Sequence, residues 1–200
     1  MLLDLMRACR TVLAMMLLSV VTPLFAAPAG QVEFAQGLAS AQQRGQTPRF
    51  LNKGDALQEG DVLNTGAKGF AIIAFPDGGK ITLRPNTTFA IDQFNAAAGQ
   101  EAMAVRLIKG GLRAITGAIG KAKPDAVRIN TATATVGIRG TSFDARICDA
   151  DCAREERSGA KPKPPAAADT VVARVAVVAG SVSAVVGNQS RVLVKGSALY

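Results

Sequence analysis

The sequence has 200 residues, contains no histidine and no tryptophan, and carries a formal net charge of +8 at pH 7. Hydrolytic triads and most zinc sites depend on histidine, so both kinds of site are excluded. A basic surface attracts polyanions non-specifically, but we interpret the positive charge mainly as a contribution to solubility.

The stretch 1–29 has the pattern of a secretory signal peptide. Arg7 and Arg10 precede the apolar run TVLAMMLLSVVTPLF, and the small residues AAPA follow it. The run has about 15 residues, whereas a membrane-spanning helix needs roughly 20. We expect cleavage after Ala26 or after Ala29, a periplasmic location, and a mature chain of net charge +7 with no transmembrane segment. Cys9 precedes the apolar run, which excludes a lipoprotein.

Residues 30–147 are predicted to form an all-β domain of short strands, laid out as a β-sandwich or a solenoid-like module. Glycine-rich turns recur roughly every 8–12 residues, which is typical of these architectures. The clearest predicted strand covers 81–92. Its apolar face consists of Ile81, Leu83, Phe89 and Ile91, and its polar face of Thr82, Arg84, Thr88 and Asp92.

The stretch GFAIIAF at 69–75 is apolar on both faces, which predicts a strand buried between two layers. The turn PDGG at 76–79 joins it to the next strand as a hairpin. After the predicted signal peptide, no window shows a sustained helical stripe of apolar residues.

The stretch TATATVGIRGTSFDARI at 131–147 changes the face of its apolar residues twice, near Asn130–Thr131 and at Arg139–Gly140–Thr141. A strand changes face only through an extra residue, so we predict bulges or tight corners at both places, with backbone freedom supplied by Gly137 and Gly140. Arg139 is predicted to tie neighbouring turns together through its guanidinium donors. We therefore interpret GIRGT as structural and not as an active site.

Candidate chemistry is limited to carboxylates and two cysteines. Asp55, Glu59 and Asp61 cluster in GDALQEGD, but each adjoins a turn glycine, where such residues are ordinarily solvated or cap backbone amides. Cys148 and Cys152 are predicted to form a structural disulfide, because export favours oxidation. That bridge requires a turn at the intervening DAD, since an extended chain would place the two residues about 13 Å apart. A redox pair and a two-cysteine metal site are the weaker alternatives.

The end of the chain is divided into two further segments. Residues 148–169 are predicted to be the cysteine-containing turn and a flexible, Pro- and Ala-rich stretch. Residues 170–200 return to strand-like alternation and weakly repeat the beginning, since VEFAQG resembles VAVVAG and RFLNKGDAL resembles RVLVKGSAL. Either this segment starts a second repeat that is cut short, or its hairpin completes the first sheet.

Three motifs in this order resemble the FecR domain family: KGDALQEGDVLNTGAKGFAIIAFPDGGKITLRPNTTFAI, VRLIKGGLRAITG and RINTATATVGIRGTSF. The resemblance covers roughly residues 30–147 and implies an all-β module of the bacterial envelope. In the founding regulators of ferric-citrate uptake, this domain passes a signal from an outer-membrane receptor to a cytoplasmic sigma factor. We carry over the fold and the location, because no segment here is predicted to reach the cytoplasm.

The resemblance also marks turn positions, none of which is catalytic in the family. The matching residues of this sequence are Gly60, Asp61, Gly66, Asp77, Gly78, Gly110, Gly111, Gly137, Arg139, Gly140 and Thr141. We thus expect a non-enzymatic, exported protein with no cofactor and no nucleic-acid partner, which binds an envelope protein in signalling or as a scaffold. The alternative is a module that binds cell-wall or surface polysaccharide, including anionic polymer. Sugar sites usually stack rings on Trp or Tyr, and the one tyrosine here is Tyr200.

Overall fold

A computed structural model describes residues 27–132, 134–148, 172–186, 189–195 and 198–199. These residues form 15 strands of one sheet, one short helix and one 3₁₀ turn at Pro124–Ala126. The strands are β1 (Gly30–Gln36), β2 (Ala39–Gln42), β3 (Arg49–Phe50), β4 (Ala56–Leu57), β5 (Val62–Thr65), β6 (Phe70–Ala74), β7 (Lys80–Leu83), β8 (Thr88–Asn95), β9 (Ala102–Lys109), β10 (Gly111–Ile115), β11 (Val127–Asn130), β12 (Thr135–Cys148), β13 (Val172–Val186), β14 (Gln189–Val194) and β15 (Ala198–Leu199); the helix is α1 (Ala118–Ala122).

The strands follow one open path in the order β3, β2, β5, β8, β9, β11, β12, β10, β7, β6, β1, β4. β13 pairs with β12, and both β14 and β15 pair with β13. The prediction of an all-β fold is confirmed. Most of the strands are short, as predicted, but β12 and β13 have 14 and 15 residues. The single open sheet does not confirm the more specific sandwich or solenoid layout.

The sheet curls so that its two ends approach each other. β1 and β2 lie near opposite ends of the path, although only Gly37 and Leu38 separate them in the sequence. So short a link spans at most about 11 Å, which a flat sheet of this width could not satisfy. The inner face of the curl is the hydrophobic core. Its largest fully buried side chains come from strands along the whole path and include Leu63, Phe89, Leu107, Leu112 and Phe143.

β12 connects the two halves of the sheet. Its first part, Thr135–Gly137, pairs with β11, and its second part, Ser142–Arg146, pairs with β10. The register against β13 shifts between Arg139 and Ser142 and again between Ser142 and Phe143, which confirms the predicted irregularity at 139–141. The other predicted change of face is a tight turn between β11 and β12, where the Thr131 amide donates to the Ala134 carbonyl at 2.8 Å.

The predicted single strand over 81–92 is wrong. β7 ends at Leu83 and β8 begins at Thr88, because Pro85 lacks the amide hydrogen that a sheet ladder needs and Asn86 adopts a left-handed φ of 55°. The two strands pair with different neighbours. The predicted apolar face is nevertheless correct, since its four residues are all buried: Ile81, Leu83, Phe89 and Ile91.

The hairpin at 76–79 is confirmed, but the burial predicted for GFAIIAF is wrong. β6 and β7 pair as antiparallel neighbours, and the Phe75 amide donates to the Gly79 carbonyl at 2.9 Å. β6 lies between β1 and β7 within the sheet and not between two layers. Its inner side chains, Ala71 and Ile73, are buried, while the alternate residues are partly exposed.

The helix α1 was not predicted, because one turn is too short to give a periodic apolar stripe. It follows Gly117, and it buries Ile119 against the core. Within the described part of the chain, no helix is long and apolar enough to cross a membrane.

Several predictions fall outside the described residues. These are most of the predicted signal peptide, the stretch from 149 to 171, and Cys152; for Cys148 only the backbone is described. The signal peptide, the flexible segment and the disulfide therefore stay predictions. The later segment, 170–200, contributes β13, β14 and β15 to the same sheet as the preceding strands.

Candidate functional site

Asp61 is held in a buried ion pair. Its side chain is fully buried, and the Arg49 guanidinium donates to both carboxylate oxygens, from Nη1 to Oδ1 at 2.9 Å and from Nη2 to Oδ2 at 2.6 Å. The Gln58 amide also donates to Oδ2 at 2.9 Å. The hydrogen bond to Asp61 raises the pKa of Arg49 despite the opposing effect of burial. These contacts give Asp61 a structural role.

The other two carboxylates of the predicted cluster also bind backbone amides. Asp55 accepts a hydrogen bond from the Asn52 amide at 2.7 Å, and Glu59 accepts one from the Phe94 amide at 2.6 Å. Each of the three side chains thus fixes a different loop. Their arrangement is that of turn and loop anchors and offers no pair of carboxylates facing a common substrate position.

Three of the predicted turn glycines, Gly66, Gly110 and Gly111, lie around the turn that contains the buried Thr87. The Thr87 hydroxyl accepts from the Gly111 amide and donates to the Gly111 carbonyl, both at 3.0 Å. The Thr87 amide donates to the Thr65 hydroxyl at 2.9 Å, and Thr65 donates to the Arg84 carbonyl at 2.6 Å. Neither threonine was singled out from the sequence. The only signal was their position near turn residues, since Thr65 precedes Gly66 in NTG and Thr87 follows Pro85 by two residues in RPNTT.

Gly110 needs to be glycine for two reasons. Its φ is +79°, and an added Cβ would lie 2.5 Å from the Asn86 carbonyl oxygen and 2.6 Å from the Thr87 hydroxyl. Its own carbonyl accepts from the Ile147 amide at 2.8 Å, and the Gly66 carbonyl accepts from the Asn86 amide at 3.1 Å. Gly66, Gly110 and Gly111 therefore all lie around the 85–87 turn, and the hydrogen bond of Gly110 connects this region to β12.

Asp77 and Gly78 lie apart from that cluster, in the β6–β7 hairpin. Asp77 Oδ1 accepts from the Gly79 amide at 2.9 Å, and the Asp77 carbonyl accepts from the Ala118 amide at 2.8 Å, so the hairpin holds the start of α1. An open groove of about 340 Å³ runs beside this contact. Its other charged side chains, Lys123 and Glu101, pair with each other at 2.5 Å. The charged groups of the groove are thus already engaged within the chain.

Gly137 differs from the other turn glycines, because it lies inside a strand and its φ is not in the left-handed region. An added Cβ would make only ordinary contacts, the nearest with the Ser183 carbonyl oxygen at 3.7 Å. Among the described residues, neither backbone conformation nor packing requires a glycine here. For Arg139, Gly140 and Thr141 only the backbone is described, so the predicted latch role of Arg139 stays a prediction.

Residues 61–183 match the FecR protein family. The chain belongs to this family. The match starts at Asp61 and continues beyond residue 147 into β13. No curated protein matches the chain.

Two crystal structures of a candidate anti-sigma factor from Parabacteroides distasonis, at 2.50 Å and 1.65 Å resolution, are similar to the chain. Each has 14% sequence identity and a TM-score of 0.46, with 68% of this chain and 52% of that chain covered. The chain thus spans about half the length of these structures.

The FecR-family chain carries a cluster of exposed valines on β13 and β14. We call Val185, Val192 and Val194 the valine patch; their exposed fractions are 39%, 63% and 56%. Paired residues of antiparallel strands point to the same face. Val192 pairs with Ser183 and Val194 with Ser181, whereas the intervening Leu193 is buried. The patch therefore covers the outer face where the sheet ends at β14.

Ile115, an exposed apolar residue on another part of the outer face, lies among charged side chains. Ile115 pairs with Lys80, which binds Glu33 at 2.7 Å. One strand away, Asp144 Oδ1 accepts from Arg84 at 2.6 Å, while its Oδ2 accepts from Arg113 at 2.8 Å. Burial pushes the pKa of Asp144 upward, but the hydrogen bonds and charges of Arg113 and Arg84 outweigh it and lower that pKa. These ion pairs make the surface around Ile115 a less suitable apolar contact surface than the valine patch.

Proposed function

We propose that the protein is an exported, non-enzymatic FecR-domain module of the cell envelope, which acts in signalling or as a scaffold by binding another protein. Membership of the FecR family supports a signalling or regulatory protein. The basic and apolar pattern of the stretch 1–29 supports export to the periplasm. The engagement of Asp55, Glu59 and Asp61 in loop anchoring supports a function without turnover.

The observation that carries the proposal is the valine patch. Three valines on two adjacent strands expose their side chains on one face, with small serines beside them in the paired positions. Clustered apolar surface of this kind marks sites of protein contact more often than scattered single residues do. Within the described residues, no group of three or more carboxylate or cysteine side chains is placed to hold a metal ion.

The proposal is tested by chemical cross-linking in intact cells, followed by capture of the protein with an antibody and identification of what is joined to it. The test variant carries Val192→Lys and Val194→Lys. The control is Phe50→Lys, which replaces an apolar residue that is 72% exposed on β3, at one end of the strand path and away from β13 and β14, which branch off β12. One discrete protein should be joined to the wild type and to the control and lost from the double variant. The same set of proteins from all three would overturn the proposal.

The polysaccharide alternative is separated by sedimentation with purified peptidoglycan at increasing salt. Attraction between exposed charges is largely screened at moderate ionic strength, so binding that disappears there reflects net charge only. Binding that persists at high salt and survives the double valine substitution would favour the polymer as the partner. If the protein binds peptidoglycan at all, we expect this binding to disappear at moderate salt.

A further inference from the structure

Among the described strands, β14 pairs only with β13, so its other edge has no partner strand within this part of the chain. Its outer residues, Val192 and Val194, are more than half exposed. The strand Gln189–Val194 contains no proline and no acidic residue. Natural sheets usually protect an edge with prolines, bulges or charged residues, because an unprotected edge pairs readily with another extended chain. The one charged residue within β14 is Arg191, which disfavours a basic segment at this edge and not an acidic one.

We propose that β14 accepts an extended segment of the partner protein as an additional strand, and that this segment has an apolar centre with an acidic residue on each side. The inference rests on the proposed function and names the chemistry of the partner at the valine patch. In this binding mode the backbone hydrogen bonds supply affinity, and the alternating side chains supply specificity.

The apolar centre follows from the register of the patch. A strand paired with β14 would place two of its residues opposite Val192 and Val194 on the outer face, and one opposite Leu193 on the inner face. Cross-strand pairs of apolar side chains stabilise a sheet at each of these positions. The partner segment should therefore have three consecutive apolar or β-branched residues.

The acidic flanks follow from the two basic residues that bracket the apolar centre of β14 in the sequence. Arg191 and Lys195 lie two residues before and two residues after Leu193. Opposite charges directly across a strand pair stabilise it, and like charges destabilise it. An acidic residue opposite Arg191 and another opposite Lys195 would satisfy this rule.

The same charges disfavour a second copy of this chain as the occupant. Two β14 strands that pair antiparallel about Leu193 would match all their apolar residues, but Arg191 of each copy would then pair with Lys195 of the other. A different register would separate Arg191 from Lys195, but it would also leave some of the residues Val192–Val194 without an apolar residue opposite them. The net positive charge of the whole chain adds to the repulsion.

The test uses the full mature chain and the synthetic peptide Ser-Glu-Val-Thr-Val-Glu-Ser. Amide hydrogen exchange of residues 189–195 is measured with and without the peptide. About half of these amides, the alternate ones that point away from β13, should exchange about ten-fold more slowly when peptide is bound. The peptide with both glutamates replaced by lysine should bind about ten-fold more weakly, since two favourable charge pairs become repulsive.

Two controls test whether the protection comes from strand addition at β14. The protein variant Val192→Lys with Val194→Lys should lose the protection, whereas Phe50→Lys, on the distant strand β3, should keep it. The peptide Ser-Glu-Val-Pro-Val-Glu-Ser lacks a central amide hydrogen and should give no protection, a result that does not depend on any protein variant folding.

The inference is overturned if saturating peptide leaves the β14 amides unprotected, or if the lysine peptide protects them equally. It is also overturned if protection appears without peptide as the protein concentration rises, because the occupant is then a second copy. If cross-linking in cells still depends on Val192 and Val194 while the peptide gives no protection, the inference fails and the proposed function stands.

Discussion

Arg49 and Asp61 form a bidentate ion pair in which the Asp61 side chain is fully buried and the Arg49 side chain is 39% exposed. The family match begins at Asp61, whereas Arg49 lies on β3, before the match. The ion pair therefore joins a residue outside the matched region to one inside it. The short strands at the beginning of the chain are thereby fixed to the FecR unit. Because burial is unequal, the two partners are expected to respond differently to substitution.

Arg49→Met should cost more stability than Asp61→Asn. Removal of the guanidinium leaves a buried carboxylate with only the Gln58 amide as a partner, which should lower the free energy of unfolding by about 3 kcal/mol. Removal of the carboxylate charge leaves a guanidinium that can reach water, at a cost of about 1–2 kcal/mol. Urea unfolding measures both values. Lys80→Met, which breaks an exposed pair, is the control and should cost less than about 1 kcal/mol. Equal losses for the two main variants would contradict this account.

Thr87→Val should destabilise the protein by about 2 kcal/mol, because the buried Gly111 amide loses its acceptor while the side-chain shape is kept. The Gly111 carbonyl loses one of its two donors and keeps the Arg84 amide. Thr87→Ser keeps the hydroxyl and should cost less than about 1 kcal/mol. Thermal and urea unfolding of the two variants distinguish a hydrogen-bonding role from simple packing. If serine costs as much as valine, packing is the main contribution of Thr87.

Gly110→Ala should be much more damaging than Gly60→Ala. Both glycines have a left-handed φ, of +79° and +85°, so alanine is strained at either position by about 1 kcal/mol. Only at Gly110 does the new methyl group also meet backbone and side-chain atoms of the 86–87 turn, which should raise the cost to about 3 kcal/mol or more. Denaturant unfolding measures the loss of unfolding free energy in both variants. Similar losses would show that the 86–87 turn moves aside and accommodates the methyl group at position 110.

Asp144→Asn should reduce stability at neutral pH but not in acid. The pKa of Asp144 is lower in the folded protein than its unfolded value of about 3.9, so its contribution is present above that value and is lost as the pH falls through the folded-state pKa. Because Arg84 and Arg113 are half exposed, we expect a difference of only about 1 kcal/mol at pH 7. Urea unfolding at several pH values should show the unfolding free energies of the wild type and of Asp144→Asn converging below about pH 4. A constant difference would exclude Asp144 ionisation as the cause.

The sequence predicted the fold class well, because alternation and turn residues are local properties. The irregularity in β12 could be predicted from a change of parity alone, and the buried side chains of 81–92 were identified correctly. The break between β7 and β8 at Pro85 and Asn86 was not predicted, because the alternation of apolar and polar residues continues across it. The hydroxyl roles of Thr65 and Thr87 could not be predicted, because their partners lie on other turns that are distant in the sequence.

The candidate site was predictable only in part. The alternation in RVLVK shows that Val192 and Val194 share a face, but the position of their strand at an open edge depends on how β12, β13 and β14 assemble. Gly137 and Gly110 are both glycines of the family motifs, yet only one of them is required by its backbone conformation. Local sequence does not separate a glycine needed for a turn from one that lies in a regular strand.

The central claim is that the surface around β14 contacts a partner protein. The most direct measurement places a photo-reactive phenylalanine derivative at Val192 in one variant and at Phe50 in another, followed by irradiation of intact cells. Our account predicts one discrete cross-linked protein from position 192 and none from position 50. Cross-links of equal yield at both positions, or none from position 192 in a correctly exported protein, would contradict it.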